Sequence, residues 1–183
     1  MGFNMPSEAP AAALFTASDV AAILRERAWL DPSRQASSAA LEAWCARAAD
    51  LLGPHVADRG ALADLLSLVF AYDARGLLQQ PENQAVFARE GARDVIRELA
   101  NRVLEGGNVD SDRFKVIIDE MKAALAHRGR TLFFPIRLAL AGRTGEGELD
   151  RVILLLDSAA ALEFAIAVKG TRQRMLEFCS ALD

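Results

Sequence analysis

Apolar residues along this chain return at intervals of three and four, the spacing that gathers them on one side of an α-helix. Val20, Ile23 and Leu24 form the first such stripe, behind a cap expected at Ser18, and it ends before Pro32. Leu41, Trp44, Cys45, Ala48 and Leu52 form a second, begun by Ser37 and Ser38 and stopped by Gly53-Pro54. Leu62, Leu65, Leu66, Val69 and Phe70 follow Asp58, and Val95, Ile96, Leu99 and Val103 run to Gly106-Gly107. A fifth stripe holds Phe114, Ile117, Ile118, Met121 and Leu125, capped by Asp110 or Ser111 and ended near Gly129. Residues 73 to 90, with Pro81-Glu82-Asn83, read equally as loop or short helix. The pattern predicts an all-α protein with short connections between antiparallel neighbours.

The stretch GRTLFFPIRLALAGRTGEGEL, residues 129 to 149, reads at first as a buried strand. Pro135 argues against that, because proline is excluded from central strands yet suits the first turn of a helix. The expectation is a short helix from Pro135 to Ala141 ending at Gly142, with Phe133 and Phe134 beneath its entry and Arg137 projecting outward into water. Beyond it, Leu149, Val152, Ile153 and Leu156 mark another helix. Ser158 is expected to cap a further one carrying Leu162, Ala165 and Ile166, and Met175, Phe178, Cys179 and Leu182 mark the last. Residues 1 to 15 read as a loose tail, 16 to 109 as an N-terminal helical subdomain, and 110 to 183 as a C-terminal one packed against it.

Composition narrows the function classes. The 183 residues are 52% hydrophobic, enough for a sizeable core, and the net charge of −4 gives no overall basic field for indiscriminate binding of polyanions. Charge is uneven, however. Residues 1 to 120 carry 12 Lys/Arg against 18 Asp/Glu (net −6), and residues 121 to 183 carry 9 against 7 (net +2), so a polyanion would meet the C-terminal third. The N-terminus lacks the basic flank and long apolar core of a signal peptide, and Asp157 and Glu163 interrupt the most apolar later stretch, so no membrane association and a cytoplasmic location are expected. Cys45 and Cys179 fall on apolar helix faces, where a thiol is a small core residue.

Candidate chemistry is sparse. His55 and His127 have no Cys or carboxylate at ligand spacing, which argues against a zinc site. No phosphate-loop, nucleophile-elbow or dinucleotide motif occurs, so no cofactor is expected. The carboxylate pairs Asp119-Glu120 and Glu146/Glu148 read as solvated surfaces. One constellation stands out: Arg128, Arg130, Arg137, Arg143 and Arg151 surround the Pro135 segment. Guanidinium groups beside apolar side chains suit single-stranded RNA loops, pairing with phosphate and stacking on bases. The competing reading is an ordinary helix surface with the arginines paired to Glu146, Glu148 and Asp150.

The segment GRTLFFPIRLALAGRTGEGELDRVILLL resembles the C-terminal part of bacterial glutamyl-tRNA synthetase, a class I enzyme. There a run of the type G-K-x-L-F-x-P-L-R-x-A-L-T-G precedes a short loop, G-P-x-L and a helix ending L-L-G. The matching residues are Gly129, Leu132, Phe133, Pro135, Arg137, Ala139, Leu140 and Gly142, then Leu149 and Leu155-Leu156. The match is specific over residues 110 to 160 and continues upstream, as an order of elements, to about residue 15. Three positions depart from the pattern: Ala141 replaces threonine, Gly147 replaces the loop proline, and Asp157 replaces the glycine of L-L-G.

The resemblance implies an anticodon-binding domain of two helical subdomains that grips the anticodon loop of a transfer RNA. It places Arg137 and Leu149 near the bases, with Gly147 at the loop's proline position; from the arginine cluster, Arg130 and Arg143 are expected as further RNA contacts. The synthetase's ATP-binding His-x-Gly-His and K-M-S-K-S signatures do not occur in the 183 residues, so no catalysis is expected from this chain alone. Three readings follow. The first is a free-standing module binding tRNA or a similar loop, as a start at Met1 and a finish on a whole helix suggest. The second is a protein-interaction or structural domain that has lost RNA binding, with a homodimer among its expected forms. The third is a part or fragment of a glutamate–tRNA ligase acting in trans with a catalytic synthetase partner.

Overall fold

The computed structural model describes residues 14–33 and 38–183. Ser37 and most of the expected tail lie outside the described residues. Among the described residues there are ten α-helices and no strand: α1 (Ala17–Glu26), α2 (Ala39–Leu52), α3 (Arg59–Phe70), α4 (Ala74–Gln79), α5 (Pro81–Phe87), α6 (Ala92–Leu104), α7 (Ser111–Ala124), α8 (Arg130–Ala141), α9 (Gly147–Ala160) and α10 (Thr171–Leu182). The all-α architecture is as the periodicity predicts. The ambiguous stretch 73–90 resolves into α4 and α5, the latter opened by Pro81 where a missing amide costs nothing.

Most helix starts follow the sequence signals. Ser38, Asp58 and Asp110 accept hydrogen bonds from the amides of Leu41, Ala61 and Arg113 and so cap α2, α3 and α7. The cap of α1 is Thr16 rather than Ser18. Thr16 and Asp19 satisfy each other's backbone amides in a reciprocal box, which makes Ser18 the second helical residue. The helix that begins at Ser111 ends at Ala124, short of Gly129.

Two expectations fail downstream. Pro135 does not begin a helix; it lies inside α8, which starts five residues earlier at Arg130. Leu132, Ile136, Ala139 and Leu140 are each fully buried, and this i, i+4, i+7, i+8 stripe runs straight through the proline. Burying the leucine and isoleucine side chains yields about 1.5–3 kcal/mol each, which offsets the roughly 3 kcal/mol that an interior proline costs. Ser158 likewise caps nothing: it lies within α9 and donates back to the Leu155 carbonyl, and residues 161–170 form bends rather than a helix. That segment is tied down elsewhere, because the Ala165 amide donates to the Trp29 carbonyl and Phe164 joins Trp29, Trp44 and Phe70 in an aromatic cluster.

Among the described residues, a single core cluster runs from Val20 on α1 to Phe178 on α10. α2 and α3 pack on α9, while α6 packs on α7, α8 and α10. Trp44 on α2 donates its indole N–H to the Leu155 carbonyl of α9 at 3.3 Å. Every residue from Pro135 to Ala141 is buried, so α8 is an interior helix that reaches the surface only in its N-terminal part, within Arg130 to Phe134.

Asp157, the residue that departs from the L-L-G pattern, ties three segments together. Its carboxylate accepts from the Val109 amide at 2.6 Å, the Thr171 amide at 2.7 Å and the Thr171 hydroxyl at 2.8 Å. One side chain therefore caps the start of α10 and holds the loop before α7 against α9. Cys45 and Cys179 are unbridged, and burial pushes the Cys45 thiol up to about 11, so it stays protonated at neutral pH.

Candidate functional site

The arginine-bearing segment forms a corner: α8 ends at Gly142, residues 143–146 turn, and α9 leaves from Gly147. Gly142 sits at φ +80°, the left-handed conformation that closes a helix, and its amide donates to the carbonyls of Arg137 and Leu138. An alanine there would carry a conformational penalty that glycine avoids. α9 begins without a side-chain cap, but Glu148 and Asp150 stand in its first turn, where carboxylates favour the helix dipole.

Arg137 does not project into water. Its side chain is only 9% exposed and is fixed on three sides. Nε and Nη2 donate to the two carboxylate oxygens of Asp150, both at 2.8 Å, and Nη1 donates to the Gly145 carbonyl at 2.7 Å. The guanidinium also stacks 4.7 Å from the centroid of the Phe133 ring. The reason is geometric: with α8 starting at Arg130, residue 137 lies in its last two turns, beside the first turn of α9, so the fork meets Asp150 before it meets solvent. This parallel two-bond geometry is the strong form of an arginine–carboxylate pair.

The other predicted contacts divide. Arg130 lies at the start of α8 with 73% of its side chain exposed, 5.7 Å from the Phe134 ring and 3.5 Å from Glu146. Arg143 reaches across to Asp64 on α3 at 3.1 Å and remains 42% exposed. Leu149, placed near the bases by the resemblance, is 1% exposed and belongs to the core, so its side chain has no face to offer. Gly147 is the first residue of α9, and a Cβ added there meets nothing within 4 Å. This is a helix position that suits proline, and the extended backbone of Glu146 before it is compatible with one.

Arg128 closes α7 instead of joining the corner, donating to the carbonyls of Lys122, Leu125 and His127. Arg151 is exposed on α9. The corner therefore assembles Arg130, Arg137, Arg143 and Glu146 with Asp150, while Arg128 and Leu149 serve the fold.

Sequence reasoning missed the residues that anchor the corner from behind. Arg174 on α10 is fully buried, and its guanidinium donates to the carbonyls of Leu140 on α8, Leu68 and Val69 on α3, and Lys169. It lies 4.5 Å from the centroid of the Tyr72 ring, and the Tyr72 hydroxyl donates to the Ala139 carbonyl. Together the two side chains satisfy the carbonyls of Ala139 and Leu140 in the last turn of α8, where a helix end leaves carbonyls without intrahelical partners. Burial pulls the guanidinium down to about 10 and pushes the Tyr72 phenol up, so at neutral pH the first is charged and the second protonated. A sequence signal did exist, since Arg174 falls on the same stripe as Thr171, Met175 and Phe178.

The chain is similar to glutamate–tRNA ligases. It is 27% identical over 100 residues to the enzyme of Carboxydothermus hydrogenoformans, covering 55% of this chain and 21% of that protein. It is 28% identical over 126 residues to that of Lysinibacillus sphaericus, covering 69% and 25%. It is 27% identical over 120 residues to glutamate–tRNA ligase 2 of Syntrophus aciditrophicus, covering 66% and 24%. The matched segment thus spans a quarter or less of these curated relatives. No family model matches the chain, and no solved structure matches it.

Proposed function

Starting from that relationship, we propose that the chain is a non-catalytic module that binds the anticodon arm of a transfer RNA, or a similar RNA loop, at the α8–α9 corner. The observation that carries this reading is the exposure of Arg130 and Arg143 on either side of the corner, in the segment that bears the synthetase-like motif. The relatives' names supply the class of partner, and the corner supplies the chemistry: two exposed cations for phosphates, with Phe134 beside one of them as a surface for a base. Buried Leu149 takes no part in contact, and Gly147 contributes backbone only. The division at residues 109/110 belongs to the same proposal, with α7 to α10 carrying the RNA-facing part.

Titration of a fluorescent tRNA anticodon stem-loop at two salt concentrations tests the reading. Affinity is expected to fall steeply with salt. The double variant Arg130→Gln/Arg143→Gln should reduce the slope of log affinity against log salt by about 1.4, from about 0.7 for each single-strand phosphate lost. An unchanged slope would remove both arginines from the interface. One observation favours a different reading, that of a protein-interaction domain that no longer binds RNA: Arg130, Arg137 and Arg143 each have a carboxylate within 3.5 Å. No binding at low salt, with a stable homodimer in solution, would establish that alternative. Restored charging on addition to a truncated ligase catalytic domain would instead identify a part working in trans.

A further inference from the structure

We propose that Asp150 is a built-in competitor for the ligand of Arg137: in the free protein its carboxylate occupies an oxyanion site that an RNA phosphate takes over on binding. This rests on the reading above and deepens it by naming the group that gates the corner.

Four observations lead there. First, the Arg137 fork is fully formed, with Nε and Nη2 pointing the same way at the two oxygens of Asp150. A carboxylate and a phosphate present equivalent oxygen pairs to a guanidinium, so the pocket shaped for one accepts the other. Second, the fork would hold its orientation without Asp150, because Nη1 is bound to the Gly145 carbonyl and the plane lies on Phe133. Third, the two partners differ in burial: the Arg137 side chain is 9% exposed and that of Asp150 is 22% exposed. The carboxylate is the partner that can swing into water. Fourth, Asp150 stands in the first turn of α9, where the helix dipole favours its charge even when it is unpaired. Release of the carboxylate is thereby made easier than release of the arginine.

The consequence is quantitative. While Asp150 holds the fork, the binding-competent fraction is small, and apparent affinity falls by that fraction. The test titrates an anticodon stem-loop against the full chain and against Asp150→Asn, Glu148→Gln and Arg137→Gln/Asp150→Asn. Asp150→Asn is expected to bind about tenfold more tightly, corresponding to a fork open about one-tenth of the time in the parent. Its salt slope should stay close to the parent's, because the bound state engages the same phosphates in both.

Glu148→Gln removes the same charge from the same helix turn without touching the fork, and its change should stay below about twofold. The double variant should lose the gain. Equal or weaker binding by Asp150→Asn than by the parent overturns the proposal, as does an equal gain for Glu148→Gln. If parent and variants all fail to bind at low salt, the RNA-binding reading itself falls. An independent readout uses the unsubstituted protein: the Arg137 Nε–H resonance should move on adding the stem-loop, and an unmoved resonance at saturation contradicts the exchange.

Discussion

Replacing Arg174 with methionine is expected to cost about 3–5 kcal/mol, a large share of the 5–15 kcal/mol that holds a typical domain together. Methionine fills comparable space but carries no donor, so the carbonyls of Leu68, Val69, Leu140 and Lys169 would lose their common partner inside the core. Each buried unsatisfied acceptor costs about 1–3 kcal/mol, partly offset by no longer burying a charge. The midpoint of thermal unfolding should fall on the order of 10 °C in a chain of this size. Lysine should rescue little, because one ammonium cannot reach carbonyls on three separate segments. Calorimetry of the two variants checks this, and a shift under 2 °C for methionine would show that the clasp contributes no more than its packing.

Arg137→Met is expected to cost less, about 2–3 kcal/mol, and the comparison is informative because both arginines are buried. Its removal strands the Asp150 carboxylate and the Gly145 carbonyl. Asp150 is partly exposed and can turn to water, an escape that the carbonyls around Arg174 lack. Urea unfolding at constant slope should place the midpoint of Arg137→Met between those of the parent and Arg174→Met. A reversed order would mean that Asp150 is held more rigidly than its exposure indicates, and would count against its displacement by RNA.

These two residues also mark how far the sequence could be read. The amphipathic stripes of α2, α3, α6, α7 and α9 are legible because one face of each helix is buried and the period of three and four records it. Pro135 misled because its local preference competes with a stripe that continues through it, and the core burial of Leu132 and Ile136 outweighs that preference. Residues 161–166 misled in the opposite direction. Their apolar members are spaced as in a helix, yet Phe164 is drawn into the aromatic cluster and the Ala165 amide pairs with Trp29.

The candidate site was legible as a set of arginines and illegible as an arrangement. Which guanidinium faces water depends on the angle between α8 and α9, and a pattern within one helix does not carry that angle. Asp150, four residues past Glu146 and offered with it as a surface counter-ion, gave no sign that it alone would meet the fork. Arg174 was readable in principle, as a charge on an apolar stripe. Its partners are backbone carbonyls up to 106 residues away, and these leave no mark in a sequence.

Binding at the α8–α9 corner is tested by mapping a saturating anticodon stem-loop onto the amide resonances of the whole chain. Perturbations are expected between residues 129 and 150, at Arg130, Arg143 and the turn between α8 and α9, fading as salt is raised. Perturbations confined to α1 to α3, or none at low salt, would contradict binding there.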